Sequence, residues 1–229
     1  MNAILPREGV IYNGPNIVVC EGLADARFLK ALLDVRHIES FEIGCPVQGR
    51  ESSDGKSGVL DYLRAIRAQR TRVANGLRSL GVMIDADTTP AKAFDDARSW
   101  LNTAGCEVPD RAFQWTDGAS GCRTSVVMIP GMSNDALLAG TLEHLLLELV
   151  GTVAPETLSC VEQYVSCLVG QADWSENNKA KMRVRAIIAG RCKTSPAISL
   201  AWVWSNDPSI FPVNNPMLDF IGNLFREVV

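Results

Sequence analysis

The chain has 229 residues, 47% hydrophobic and 21% charged, with 22 Lys+Arg against 26 Asp+Glu. That composition excludes a disordered chain, a bare polycationic peptide and a small scaffold dependent on disulfide staples. Seven scattered cysteines without CxxC spacing, only two histidines (His37 and His144) and no apolar run approaching membrane length predict a reduced, cytoplasmic protein without structural zinc, targeting segment or membrane partner. The first 130 residues alternate short β-branched runs with helical patterns, which predicts a central parallel sheet flanked by helices. Asn16–Cys20 (NIVVC) is apolar almost throughout, as a strand buried on both faces should be, and Leu23–Leu33 follows at helical spacing. Phe41–Val47 is a weaker strand.

A helix is predicted over about 57–76, with Val59, Tyr62, Ile66, Val73 and Leu77 on one side and Arg64, Arg67 and Arg78 in a sector away from it. Leu80–Ile84 (LGVMI) is the clearest buried strand, followed by a helix over about 91–103, an edge strand at Ala112–Trp115 and a strand at Ser125–Ile129. Beyond Pro130 the β signals fade, and helices are predicted at about 135–150, 156–169, 175–190 and 217–227, with an irregular connection over 197–213. The chain therefore divides into an α/β core over 1–130 and a mainly helical region over 131–229 packed back on it, the two forming either neighbouring parts or one domain.

The net charge of −4 averages over opposed blocks. Thr124 to Asn178 holds seven acids and no Lys or Arg, whereas Lys179 to Asn206 holds six bases and no acid. Arg64 to Arg78 is also free of acids and carries five arginines, so an acidic protein retains positive surfaces.

In an open parallel sheet, ligands bind beyond the carboxyl ends of the strands. Glu21 directly follows NIVVC, and Asp85 and Asp87 follow LGVMI in the segment GVMIDADTTP. An extended Asp85–Asp87 segment would put both carboxylates on one side. Three carboxylates converging there would repel one another unless a divalent cation neutralised them, and all-oxygen ligation suits Mg²⁺ or Mn²⁺. The structural alternative leaves Asp85 and Asp87 as turn and helix-capping residues and Glu21 solvated.

The strand-terminal Glu of VVCEGLADARFLKALL and the strand-terminal Asp-x-Asp of GVMIDAD resemble the Toprim domain of topoisomerases, primases and OLD-family nucleases. The layout is closer still to a small Toprim-related family of unknown function allied to the OLD nucleases. The matching residues are Glu21, Gly22 and Asp25; Gly55 and Lys56; Asp85 and Asp87; Gly140, Leu142 and Glu143; and a late basic helix, NNKAKMRVRAIIAG. This resemblance implies a Toprim-like α/β fold and Mg²⁺-dependent phosphodiester chemistry on nucleic acid, as in a nuclease that uses water as nucleophile. It implies Glu21 as acid/base or metal ligand, Asp85 and Asp87 as ligands, Asp25 and Glu143 beside them, and Lys181 or Lys179 stabilising charge on the phosphate. Lys56, Arg64, Arg67, Arg78, Lys179 and Arg185 would supply phosphate contacts. Asp25 is equally readable as a first-turn acid complementing its helix dipole, and Glu143 as the solvated side of an amphipathic helix.

The sequence departs from the Toprim pattern after Asp87, where Thr88-Thr89-Pro90 carries no acid, and His144 stands where related chains commonly have one. A non-catalytic binding module acting beside a partner such as an ATPase is therefore an alternative. A second alternative is a haloacid-dehalogenase-like phosphatase, because VMIDADTTP satisfies hhhDxDxT with Asp85 as nucleophile. That reading leaves Glu21 unexplained and lacks a Ser or Thr ending the next strand. The stretch QGRESSDGKSG has one residue too many for a phosphate-binding P-loop.

Overall fold

Alternation along the strands decides which helices cover which face of the sheet. In the computed structural model, which describes residues 4–5, 14–46, 56–70, 76–119, 121–168 and 170–228, five parallel strands and one antiparallel edge strand form a sheet. The strands are β1 (Ile4–Leu5), β2 (Asn16–Cys20), β3 (Phe41–Gly44), β4 (Ser79–Asp85), β5 (Thr116–Asp117) and β6 (Arg123–Ile129), in the order β1-β3-β2-β4-β6-β5. The strands β2, β4 and β6 are buried on both faces apart from their polar ends, consistent with their continuous apolar runs.

Ile17, Val19, Leu80, Val82, Ile84, Val126 and Met128 pack on one face with α2 (Lys56–Arg70) and α3 (Pro90–Thr103). Val18, Cys20, Met83, Val127 and Ile129 point the other way. They share a cluster with α1 (Leu23–Val35), α4 (Leu142–Val153), α5 (Pro155–Ser166), α6 (Glu176–Arg191), α7 (Leu200–Asn206) and α8 (Asp219–Arg226). The region after residue 130 thus closes the face that α1 alone leaves open, and one hydrophobic cluster runs through both parts of the chain. Among the described residues no helix is long and apolar enough to cross a membrane.

Two sequence readings change after β6. The helix expected at 135–150 begins only at Leu142; before it, β7 (Met132–Ser133) and β8 (Ala136–Leu137) form a hairpin through Asn134 and Asp135, at φ 48° and 63°. Two successive residues with positive φ make the tight turn that matches strand twist, and Asn-Asp tolerates it. The connection expected over 197–213 contains α7, held against α1 by the buried Val203 and Trp204. The edge strand lies at Thr116–Asp117 rather than Ala112–Trp115, because Thr116 and Asp117 are the residues that pair with Thr124 and Arg123.

The connections place the crevice. From β2 the chain crosses through α1 to β3 on one side; from β4 it crosses through α3 to β6 on the other. Adjacent strands whose connections leave in opposite directions open a gap at their carboxyl ends, and here that gap lies between Cys20 and Asp85.

Candidate functional site

The crevice is edged by Glu21 after β2 and Asp85 at the end of β4. The Asp85 backbone N–H donates to Glu21 Oε2 at 3.4 Å, while the Glu21 N–H extends the ladder to Met83 O at 3.0 Å. Asp85 Oδ1 accepts from the backbone N–H of Leu142 at 2.9 Å, so the carboxylate sits on the first turn of α4. Free N–H groups and the positive end of the dipole favour an anion there. Asp25 is in the first turn of α1, where its Oδ2 accepts from Gly22 N–H at 3.0 Å. Glu143, in the first turn of α4, accepts from Thr141 Oγ1 at 2.8 Å.

These four acids act on one another. Burial, then the charges of Glu21 and Glu143, push the Asp25 carboxyl up to about 7, against backbone N–H groups that pull it down. Asp85 rises well above the carboxylate range through burial, then Asp25, Glu21 and Glu143, with Leu142 N–H opposing. The alternatives left by the sequence for Asp25 and Glu143 are thus not exclusive: each is held by a local donor in a helix's first turn, and each adds charge to the crevice.

Asp87 is placed differently from the expectation of an extended Asp-x-Asp. Its φ is 51°, and its backbone exchanges two hydrogen bonds with Gly140, each 2.7 Å. Its Oδ1 accepts from Asn177 Nδ2 at 3.3 Å, at the start of α6. The left-handed residue breaks strand alternation, so Asp85 faces α4 while Asp87 faces α6. Asn177 carried no signal in the sequence beyond its place before the basic helix.

Gly140 and His144 explain each other. Gly140 has φ 139°, and a Cβ on it would come within 3.0 Å of the His144 ring. His144 Nδ1 accepts from the Thr141 backbone N–H at 3.1 Å, which makes it the reciprocal half of the α4 cap. Burial lowers the His144 pKa, opposed by Glu143 and Glu176, and the neutral ring is the form that can accept. Cys20 and Cys45 line the same end of the sheet as protonated thiols. Burial and Asp25 push Cys20 up, and burial takes Cys45 to about 11.

The expected phosphate-binding residues divide between two ends of the molecule. Arg78 precedes β4, its N–H donating to Pro15 O at 2.7 Å, and Arg67 donates to Gly105 O at 3.1 Å beyond the end of α3. At about 3.3 Å per strand residue and 1.5 Å per helix residue, both lie about 20 Å from the carboxylates. Arg78 lies outside α2 (Lys56–Arg70), in non-helical chain next to β4, so it does not share the face of Arg67, and Arg64 pairs with Asp61 at 3.3 Å. The Lys56 side chain and Gly55 lie outside the described residues. On α6, Lys179 pairs with Glu176 at 2.8 Å, whereas Lys181 and Arg185 are exposed on a groove that reaches Glu143.

An all-oxygen, carboxylate-rich donor set fits a hard divalent cation. As placed, no three His, Cys, Asp or Glu side chains among the described residues are gathered to hold a metal ion. Asp25, Asp85, Asp87 and Glu143 each accept from a donor of the protein instead. The strand beside β4 ends in Met128-Ile129-Pro130, so no hydroxyl side chain stands next to Asp85 there, as the phosphatase reading would require.

These features define an α/β protein with an acidic crevice at the switch point of a mostly parallel sheet. The chain belongs to the family described as Protein of unknown function (DUF3226), whose model matches residues 15–212. The match runs from the start of β2 past α7 and therefore includes α4 to α7 but not α8. No curated protein and no solved structure gives a significant match.

Proposed function

We propose that this protein is a Toprim-like, nuclease-type enzyme that performs Mg²⁺- or Mn²⁺-dependent phosphodiester chemistry on nucleic acid. The observation that carries the reading is the continuous path from Glu21 through the Asp85 backbone and carboxylate to the first turn of α4, which bears Glu143. Carboxylates from two strand ends and two helices face one crevice, and the charges acting on Asp25 and Asp85 are other acids, opposed by backbone N–H groups. Glu21 and Asp85 would hold the cation, with Asp25 and Glu143 beside it and Asp87 approaching from the side of α6. When bound, the cation would neutralise the acidic cluster and the charge of a phosphate.

The protein's own residues then have distinct tasks. Glu21 takes the proton of the attacking water, while the α4 N-terminus holds Asp85 in position. The Gly140 bridge and Asn177 hold Asp87 at the side of α6, and Lys181 meets the charge that develops on the phosphate. All seven cysteines are free, which fits a reducing cytoplasm.

The test is metal titration of the parent protein and an Asp85→Ala/Asp87→Ala variant, following thermal midpoint and cleavage of labelled DNA and RNA strands. The expected result is metal-dependent stabilisation and cleavage in the parent and joint loss of both in the variant. A parent that neither responds to metal nor cuts a strand would instead be a non-catalytic module, the form in which a partner ATPase would supply the activity. Metal-dependent release of phosphate from an aryl phosphate, with a trappable phospho-Asp85, would replace the nuclease reading by the phosphatase one.

A further inference from the structure

The six bases of the 179–193 block are not equivalent. Lys179 pairs with Glu176 at 2.8 Å, and Arg183 pairs with Glu162 at 2.7 Å. Lys181 and Arg185 are exposed and form no ion pair among the described residues. They lie four residues apart on α6, so they project one above the other with Cβ atoms about 5–6 Å apart. Asn178 precedes them on the same side and shares their pocket.

This stripe forms one wall of two adjoining grooves. The larger, about 1180 Å³, lies between α5, α6 and the α6–α7 connection; Ala24, Glu143, Tyr164, Met182 and Ile198 are among its lining residues. The smaller, about 270 Å³, is bounded by Trp174 and Asn178, and Lys181, Met182 and Arg185 line both. Sharing that wall, the two grooves make one channel, with Glu143 on the larger, Trp174 on the smaller, and Lys181 and Arg185, which form no ion pair among the described residues, common to both. Tyr164 is 51% exposed at the large groove, and Trp174 is half-buried at the small one.

We propose that this channel binds a single-stranded nucleic acid, with successive phosphates on Lys181 and Arg185 and unpaired bases against Trp174, Met182 and Tyr164. The inference rests on the nuclease reading and assigns its substrate class. Two cations one helical turn apart match a ligand whose anions repeat along a chain. Aromatic and apolar walls suit the faces of bases, which a duplex keeps stacked away. The groove exceeds the common size of small-ligand pockets, about 300–1,000 Å³, and Glu143 of the acidic cluster is among its lining residues. Asn177 ties the start of α6 to Asp87, so the helix that would guide the strand is registered on the carboxylates.

The experiment measures binding of labelled oligothymidylate and of a blunt duplex in Ca²⁺, over a salt series, for the parent, Lys181→Gln/Arg185→Gln and Trp174→Leu proteins. Circular dichroism checks that each is folded. Ultraviolet cross-linking of a thiothymidine-substituted strand maps the contact. Expected are preference for the single strand, loss of tenfold or more in each variant, a salt slope in the double variant shallower by about 1.4, and cross-links within 164–185. Parent-like affinity and salt slope in the double variant, or tighter binding of the duplex, would overturn the channel while leaving an Asp85-dependent cleavage activity standing. No binding of any strand and no cleavage would remove both the channel and the nuclease reading.

Discussion

The backbone N–H of Leu142 donates to the carboxylate of Asp85 at 2.9 Å, joining the end of β4 to the start of α4 across 57 residues of sequence. A helix N-terminus favours an anion, yet Asp85 also meets the charges of Asp25, Glu21 and Glu143, and its pKa rises. The dipole therefore positions this carboxylate without neutralising the cluster, which is the task of the proposed cation.

That imbalance predicts how stability responds to pH. In the unfolded chain Asp25 titrates near 4; in the folded protein it is pushed up to about 7. Between those values the folded state holds a proton that the unfolded state has released, so this group makes stability fall as pH rises from about 4 to about 7. Below that window the group is protonated in both states and contributes no change. The expected outcome is that chelator-treated Asp25→Asn protein gains thermal midpoint over the parent as pH rises from 5 to 8, since subtraction cancels the groups not coupled to Asp25, and losing the Asp25 charge also relieves Asp85. Saturating Mg²⁺ at pH 8 closes much of that gap by stabilising the parent. A difference that stays constant with pH contradicts the assignment.

Gly140 is predicted to be intolerant of a side chain. At φ 139° an alanine is strained, and its Cβ would come within 3.0 Å of the His144 ring that completes the α4 cap. Gly140→Ala should cost about 1–3 kcal/mol, read as a midpoint lower by about 2–4 °C for each kcal/mol in a chain of this size. Because Gly140 also holds Asp87 through paired 2.7 Å hydrogen bonds, weaker metal binding should accompany the loss. Unchanged stability and metal affinity would mean that the bridge does not set the site.

The parts of this arrangement legible in the sequence are those fixed by local pattern. NIVVC and LGVMI are apolar runs, so the strand ends at Glu21 and Asp85 were visible, as were α1 and α3. Which strand lies beside which is decided by long-range pairing, and the β2/β4 crevice follows from a crossover that spacing does not encode. The Asn134-Asp135 turn was hidden because the apolar residues around it also fit a helix. Asp87 misled for a backbone reason: alternation assumes extended φ, and a positive φ redirects its carboxylate. Charge blocks located α6 but could not show which bases acids on α5 and α6 already engage.

Arg36 offers a test of the C-terminal closure independent of the site. Its side chain is 6% exposed and donates to Val213 O, to Asn215 O at 3.1 Å and to Asp219 at 2.8 Å, with Gly222 packed against its stem. Removing it leaves two carbonyls without this donor and a void beside α8. Arg36→Ala is expected to destabilise by about 1.5–3 kcal/mol, the range for lost hydrogen bonds to a charged group, because Asp219 is 54% exposed and stays solvated when its partner is removed. The folded fraction, assayed at low temperature, should keep parent-like metal affinity, because Arg36 lies at the far end of α1 from Asp25. A stability change within about 0.5 kcal/mol, the scale of a surface substitution, would place this network outside the closure.

The two ends of the sheet make separable predictions about phosphate contacts. Arg67 and Arg78 lie beyond the starts of the strands, about 20 Å from the carboxylates, with Arg67 fixed on Gly105 O. An Arg67→Gln/Arg78→Gln protein should therefore cut a short labelled strand at the parent's rate, and its binding should change less than twofold. On strands long enough to reach both ends, the same variant should lose affinity and show a shallower salt dependence, since each phosphate contact removed lowers the slope by about 0.7 for single strands. Equal losses on short and long strands would show that these arginines act on the crevice itself, against their position in the fold. A length-dependent loss would identify the basic strand-start edge as a second, non-catalytic contact.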